Sequence, residues 1–232
     1  MMTQDSTHAV AVIVAGGQGL RMQNAVPKQF LPLNGKPILY YSIKAFMEAV
    51  PGIRIVLVLP NAHFSYANSV LQHFTSGIDI TIVEGGASRF ESVKNGLKET
   101  RETDIIFVHD GVRPLLSTQL IATCLEAAKA YGNAIPVVPV TDSIRQITGD
   151  NDSNTVDREL LRAVQTPQTF QGSVLLPAFE QAYRESFTDE ASVVEQFGIK
   201  VHLVAGEKSN LKITTPEDIL FAAAIQTAQD DV

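Results

Sequence analysis

Ala9-Val10-Ala11-Val12-Ile13-Val14-Ala15 leads directly into Gly16-Gly17-Gln18-Gly19-Leu20-Arg21-Met22, and a few residues later comes Pro27-Lys28-Gln29-Phe30. The apolar run is continuous rather than alternating, the pattern of a strand buried on both faces of a parallel sheet. It is the expected central strand. The glycines that leave it permit positive φ and remove Cβ atoms from the path of an anion, so backbone N–H groups can wrap phosphate. Arg21 and Lys28 place positive charge in and just after the loop, with no acid between them. A glycine-rich turn with two cations suits a polyphosphate.

Two familiar phosphate motifs do not fit. The loop has no Gly-Lys-Ser/Thr ending, which excludes the usual P-loop. As a dinucleotide fingerprint, Gly17-x-Gly19 needs a third glycine where Met22 stands. The next strand, Ile53 to Leu59, then closes on Pro60-Asn61 without the acid that holds a ribose. A dehydrogenase is therefore disfavoured, and a merely structural turn would not ask for Arg21 and Lys28.

Outward from this stretch, strand and helix alternate. Pro37 opens a helix through Ile38, Tyr41, Ile43, Phe46 and Met47. Helices are expected over Phe64 to Phe74, from Ser88 to about Lys98, and over Thr118 to Tyr131. Strands are expected at Ile78 to Val83, Asp104 to Val108 and Ala134 to Val140. Ser88 with Glu91 forms a capping box. The repeated βα order predicts an α/β, Rossmann-like, mostly parallel twisted sheet with helices on both faces, whose ligands gather beyond the carboxyl ends of the strands. From Thr141 to Gln165 the chain turns polar, with short β-like pieces at Ser143 to Ile147 and near Thr155-Val156. That reads as a hairpin arm, too long for an idle loop, and a second subunit is a candidate for what it packs on. Helices at Ser173 to Arg184 and Glu190 to Phe197, strands at Val201 to Val204 and Leu211 to Ile213, and a last helix opening at Thr215-Pro216-Glu217-Asp218 complete the chain. Residues 1–232 are read as one domain with an arm insertion at about 141–165.

Composition narrows the function. The 25 acids against 18 bases give a net charge of −7, which argues against nucleic-acid or anionic-membrane binding. Cys124 is the only cysteine, so an intramolecular disulfide or cysteine zinc site is excluded. The start, Met1-Met2-Thr3-Gln4-Asp5, lacks a signal-peptide pattern, and no apolar run approaches the ~20 residues of a membrane span. A cytoplasmic protein is expected.

His109-Asp110-Gly111-Val112-Arg113-Pro114 follows a strand directly, which puts Asp110 at the ligand-facing end of the sheet, where a carboxylate can hold a hard cation such as magnesium. Asp110 can equally cap a helix or pair with Arg113, and His109 reads as a core histidine. Gly85-Gly86, with Ser88 and Ser92, offers backbone and hydroxyl groups for a base edge or, as readily, a plain turn and cap. Arg158 on the arm, Thr166-Pro167-Gln168, Thr188-Asp189-Glu190 and Lys212 are further polar candidates.

Taken together, these stretches resemble the sugar-phosphate nucleotidylyltransferases, and from Val10 to Asp218 the chain is similar to the 2-C-methyl-D-erythritol 4-phosphate cytidylyltransferase family of the non-mevalonate isoprenoid pathway. The resemblance is carried by Ala15 to Met22, Pro27 to Phe30, Gly85-Gly86 with Arg89 and Ser92, and His109 to Pro114. It continues through Thr155 to Arg158, Gln165 to Phe170, Thr188 to Ser192, and Asn210 to Thr214 with Pro216-Glu217-Asp218. Gly111-Val112 stands where Ala-Ala is frequent, and Ala87 where an acid is often seen.

The resemblance implies cytidylyl transfer from CTP to 2-C-methyl-D-erythritol 4-phosphate with Mg2+ as cofactor. It implies that Arg21, Lys28 and Lys212 are catalytic, and that Ala15, Gly16, Gly17, Gly19, Gly86 and Ser92 bind the nucleotide. Asp110, Arg113, Thr166 and Thr188 would contact the methylerythritol phosphate side, with Asp110 also holding the metal. Asp142, Ser143 and Arg158 would come from the partner subunit of a homodimer. A ribitol-5-phosphate cytidylyltransferase shares several motifs, but Thr155 to Arg158 and Thr188 to Ser192 look more like the methylerythritol family. A non-catalytic nucleotide-binding regulator on the same fold is disfavoured by the intact Arg21, Lys28, Asp110 and Lys212.

Overall fold

The computed structural model describes residues 8–17, 26–74 and 78–230. Along the chain come β1 (Ala9–Val14), the short ladder of β2 (Pro32–Leu33) and β3 (Lys36–Pro37), α1 (Ile38–Ala49), β4 (Arg54–Leu59), α2 (Phe64–Leu71), β5 (Ile80–Glu84), α3 (Arg89–Leu97), β6 (Ile105–Asp110), α4 (Thr118–Tyr131) and β7 (Asn133–Pro139). A hairpin of β8 (Ile144–Gly149) and β9 (Asp152–Val156) follows. Then come β10 (Arg162–Val164), β11 (Gln168–Gln171), α5 (Gly172–Ala178), α6 (Glu190–Gln196), β12 (Leu203–Ala205) and α7 (Pro216–Asp230).

Among the described residues the main sheet has eight strands in the order β10-β7-β11-β6-β1-β4-β5, with β12 on β7. β1 pairs in parallel with β4 and β6, and β5 extends the parallel run. Alternate residues of β1 serve opposite layers. Ala11 and Ile13 pack with Leu39, Ile43 and Phe46 of α1 and Ile121 of α4. Val10 and Val12 pack with Val56, Val58 and Val93 beneath α3 and α5. Fully burying a Val or Ile side chain is worth about 1.5–3 kcal/mol, so the uninterrupted apolar run makes β1 the axis of both core layers. The structure is the α/β, Rossmann-like fold expected, and its mostly parallel half carries the strand ends that open onto the cavity described below.

Helix starts follow the local signals. Ser88 and Glu91 form the reciprocal capping box of α3. Ser117 caps α4, whose end is closed by Gly132 at φ 87°, a left-handed conformation that glycine takes without steric cost. At α7, Asp218 Oδ2 accepts from the backbone N–H groups of Thr214 (2.7 Å) and Thr215 (2.8 Å).

Three expectations need correction. The helix from Ser173 stops at Ala178 rather than Arg184, because the Gln181 side-chain amide donates to Ala178 O (2.9 Å) and Val193 O (3.0 Å) and so ties the helix end to α6. Leu211 to Ile213 is not a strand; one backbone bond, Ile213 N–H to Val112 O at 2.9 Å, holds it beside the loop after β6. The polar excursion ends earlier than Gln165. Arg162–Val164 already pairs antiparallel with β7, and Gln168–Gln171 inserts antiparallel between β6 and β7.

Candidate active site

The carboxyl ends of β1, β4, β5 and β6 surround a cavity of about 440 Å3. Ala15, Gly16 and Gly17 enter it from the exit of β1, and Lys28 from the short helical turn Lys28–Phe30. Gly86 and Ser92 come from the start of α3, Asp110 from the end of β6, and Lys212 from the segment before α7. Lys28 Nζ donates to Ile213 O at 2.9 Å, which ties the two lysine-bearing segments together. Neither Gly16 nor Gly17 has positive φ, contrary to the reading of the loop. A Cβ at Gly17 would stand 3.9 Å from Lys28 Cε, an ordinary van der Waals contact, so packing within the chain does not itself demand glycine there.

Asp110 is the electrostatic centre. Lys212 Nζ lies 3.0 Å from its Oδ2, Arg89 Nη2 3.3 Å from Oδ1, and Arg113 Nε 3.5 Å from Oδ2. Burial by itself would raise its pKa, but Arg89, Lys212 and Arg113 outweigh burial and hold the carboxyl well below the usual carboxylate range. Arg113 is buried and anchored through Nη1 to Asn210 O at 2.8 Å. Behind Asp110, Thr166 Oγ1 accepts the Asp110 N–H and lies 3.1 Å from His109 Nδ1. Burial pushes the His109 pKa down to about 3, so the ring is neutral and packed edge-on against Phe46. It is the core histidine that the sequence suggested. Among the described residues no group of three or more His, Cys, Asp or Glu could hold a metal.

On the α3 side, Ser92 Oγ accepts from Gly86 N–H (3.1 Å) and donates to Ser88 O (2.9 Å), so the hydroxyl braces the turn that leads into the helix. A Cβ on Gly86 would fall 2.3 Å from Glu91 Cβ, and only glycine lets the backbone pass there.

The structure gathers Ala15, Gly16, Gly17, Lys28, Gly86, Ser92, Asp110 and Lys212 around one cavity. Arg113 and Thr166 contact Asp110 from behind that lining. Thr188 is exposed and lines a separate small crevice with Arg89 and Phe90. Asp142, Ser143 and Arg158 are exposed at the hairpin, where Arg158 Nη1 donates to Thr141 O at 2.6 Å. Gly19 and Arg21 lie outside the described residues. Sequence reading assigned no role to Arg89, which bridges Asp110 and the buried Glu190. Its place four residues after Gly85, among motif residues, was the available signal.

The family model described as IspD, 2-C-methyl-D-erythritol 4-phosphate cytidylyltransferase, matches residues 9–228. The chain is 44% identical over 214 residues to the 2-C-methyl-D-erythritol 4-phosphate cytidylyltransferase of Phocaeicola vulgatus, covering 92% of this chain and 97% of that one. It is 45% identical over 215 residues to the enzyme of the same name from Azobacteroides pseudotrichonymphae, covering 92% and 96%. Among solved structures, 4-diphosphocytidyl-2C-methyl-D-erythritol synthase from Anaerococcus prevotii superposes with a TM-score of 0.81 at 29% identity, covering 96% of this chain and 97% of that one.

Proposed function

The chain belongs to the 2-C-methyl-D-erythritol 4-phosphate cytidylyltransferase family, and from that premise we propose which of its residues do the work. It is a nucleotidyltransferase that moves a cytidylyl group from CTP to 2-C-methyl-D-erythritol 4-phosphate in isoprenoid precursor synthesis. In the proposed assignment Ala15, Gly16, Gly17 and Gly19 cradle the nucleotide, and Gly86 and Ser92 read cytosine. Arg21, Lys28 and Lys212 stabilise charge on the phosphates. Asp110, Arg113, Thr166 and Thr188 belong to the acceptor side. The observation that carries this reading is the meeting of Lys28 and Lys212, from opposite ends of the sequence, with Asp110 in the one cavity that the glycine-rich loop enters.

The chemistry asks for such a site. A phosphate oxygen of the acceptor attacks the α-phosphorus of CTP, an O–P bond forms, and the bond to the β-phosphate oxygen breaks with its electron pair leaving on pyrophosphate. A phosphate monoester has a second pKa of about 6 and is largely dianionic at neutral pH, so no general base is required. The obstacle is anion meeting anion, which fixed cations lower. In this reading Lys28 and Lys212 supply those cations, and the neutral His109 stays out of the proton traffic.

Mg2+ is part of the proposal. The fit lies in the donor set: the cavity is lined by two carboxylates, Asp110 and Glu84, and by no cluster of three or more ligating side chains among the described residues, which suits an ion that keeps water and shares substrate phosphates rather than one needing a protein cage. When bound at Asp110, the ion would neutralise phosphate charge. A homodimer is also proposed, with Asp142, Ser143 and Arg158 serving the partner's cavity. Its support is the exposed apolar surface on and beside the arm, Ile147, Leu160 and Val164, which a lone chain leaves in water. Both substrates are polyanions that do not cross membranes, and the cytoplasm is the proposed location.

The test is pyrophosphate release from CTP with each acceptor in turn. Release with 2-C-methyl-D-erythritol 4-phosphate and little with ribitol 5-phosphate is expected. The reverse preference would transfer the protein to the ribitol substrate, and release with neither would leave a nucleotide-binding regulator.

A further inference from the structure

We infer that Arg89, held by Glu190, is a positioning residue that keeps Asp110 in place while the other contacts of that carboxylate change. The inference rests on the role proposed above for Asp110. Three cations touch Asp110, and they differ in what else holds them. Lys212 is the most solvent-facing, with its side chain 43% exposed, and is the one best placed to leave for a substrate phosphate. Arg113 is tied to the Asn210 carbonyl. Arg89, by contrast, carries a second carboxylate: Nη2 lies 3.3 Å from Asp110 Oδ1 and 3.1 Å from Glu190 Oε2, and Nη1 bonds to Glu190 Oε1.

Both members of this bridge are set by capped helix starts. Arg89 follows the Ser88 capping box of α3, and Glu190 follows the Asp189 capping box of α6. Two helices thereby converge on the end of β6. Glu190 is 1% exposed, deeper than a carboxylate is found without a partner. A planar guanidinium fork can serve two carboxylates at once, which an ammonium on a flexible stem does poorly. Glu190 thus has two effects. It fixes the direction of Arg89, and it balances the Arg89 charge so that this cation is not drawn from Asp110 onto the incoming phosphates. Asp110 then stays anchored when Lys212 lets go.

The deciding variant is the pair Arg89→Met/Glu190→Met, which removes both charges together and keeps the space filled with apolar atoms, a replacement that is often neutral for stability. The expected result is a Tm close to that of the unaltered protein with kcat/KM for CTP lowered roughly 10–100-fold, the usual scale for residues that orient a ligand-bearing side chain. An unaltered Tm together with unaltered kcat/KM would make the bridge structural cement and overturn the inference. Should the pair fail to fold, Arg89→Lys decides. It keeps a charge beside Glu190 but not the second arm to Asp110, so kcat is expected to fall at least about tenfold with little change in Tm; full activity overturns the inference. Asp110→Asn is assayed alongside. Retained activity there sinks the underlying reading of Asp110, whereas an inactive Asp110→Asn with fully active Arg89 variants sinks this inference alone.

Discussion

The sheet end and the hairpin arm hold their charged residues in opposite ways. At the sheet end, Asp110 is almost wholly buried and contacts three cations, one of them anchored to a backbone carbonyl and another to a second buried acid. On the arm, Arg158 is exposed and contacts the carbonyl of Thr141 and the exposed Glu159. The first region is assembled within one chain, with directions set by its own ion pairs and hydrogen bonds. The second offers exposed side chains and apolar surface. In water an exposed ion pair is worth about 0–1 kcal/mol, so Arg158 is free to exchange its contacts for a substrate, while Asp110 is not free to move. Under the proposed assignment the division is between a sheet end whose charges are held within one chain and an arm whose residues would complete the acceptor side of a partner's site.

The largest effect is expected from Asp110→Asn, which keeps the shape but removes the charge that organises Arg89, Arg113 and Lys212. Turnover should fall more than about 100-fold and not return with added CTP. Substantial activity at ordinary magnesium would move the metal site elsewhere and dissolve the contrast at its buried end. Next is Lys28→Ala, expected to lower kcat about 10²–10³-fold, the scale for losing one group that stabilises developing charge. The KM for 2-C-methyl-D-erythritol 4-phosphate should change far less. Near-normal turnover at saturation would remove Lys28 from the chemistry.

A smaller effect concerns stability and pH. Folded His109 stays neutral down to about pH 3, whereas in the unfolded chain an ordinary histidine takes up its proton near 6.5. Between those values the unfolded state binds more protons, so stability falls as pH falls. The histidine contribution to that loss is about 2 kcal/mol between pH 7 and pH 5. Asp110 works in a lower window. Its depressed pKa contributes stability that is present above the unfolded value near 4 and is lost only as pH drops through and below it. Urea titrations of the unaltered protein and His109→Gln at pH 7 and pH 5 separate the two, since the variant should lose less stability over this interval. Equal losses would show that burial at this position is not what makes the sheet end acid-sensitive.

Much of the fold could be read from the chain because its signals are local. The unbroken apolar run of β1, the Ser88–Glu91 box and the bounds of α4 all lie in short windows. β11 was hidden because Gln168-Thr169-Phe170-Gln171 is polar by composition. Its Gln168 is nonetheless buried, satisfied by Asp189 and the Ala191 N–H, and that pairing crosses twenty-odd residues. The site divides in the same way. Lys28, Asp110 and Lys212 sit in motif stretches that a family resemblance can flag. The bridge from Arg89 to Glu190 spans 101 positions and leaves no local trace.

The central claim is that one chain's sheet end works with the other chain's arm, and mixing two inactive proteins tests it most directly. Lys28→Ala and Arg158→Ala are co-expressed, or unfolded and refolded together, so that subunits mix. With Arg158 acting across a two-fold dimer, a mixed dimer has one site with both lesions and one with neither. Random pairing makes about half of the dimers mixed, and about a quarter of all sites should recover activity. If Arg158 serves its own chain, every site keeps one lesion, and well-mixed dimers that stay inactive would contradict the claim.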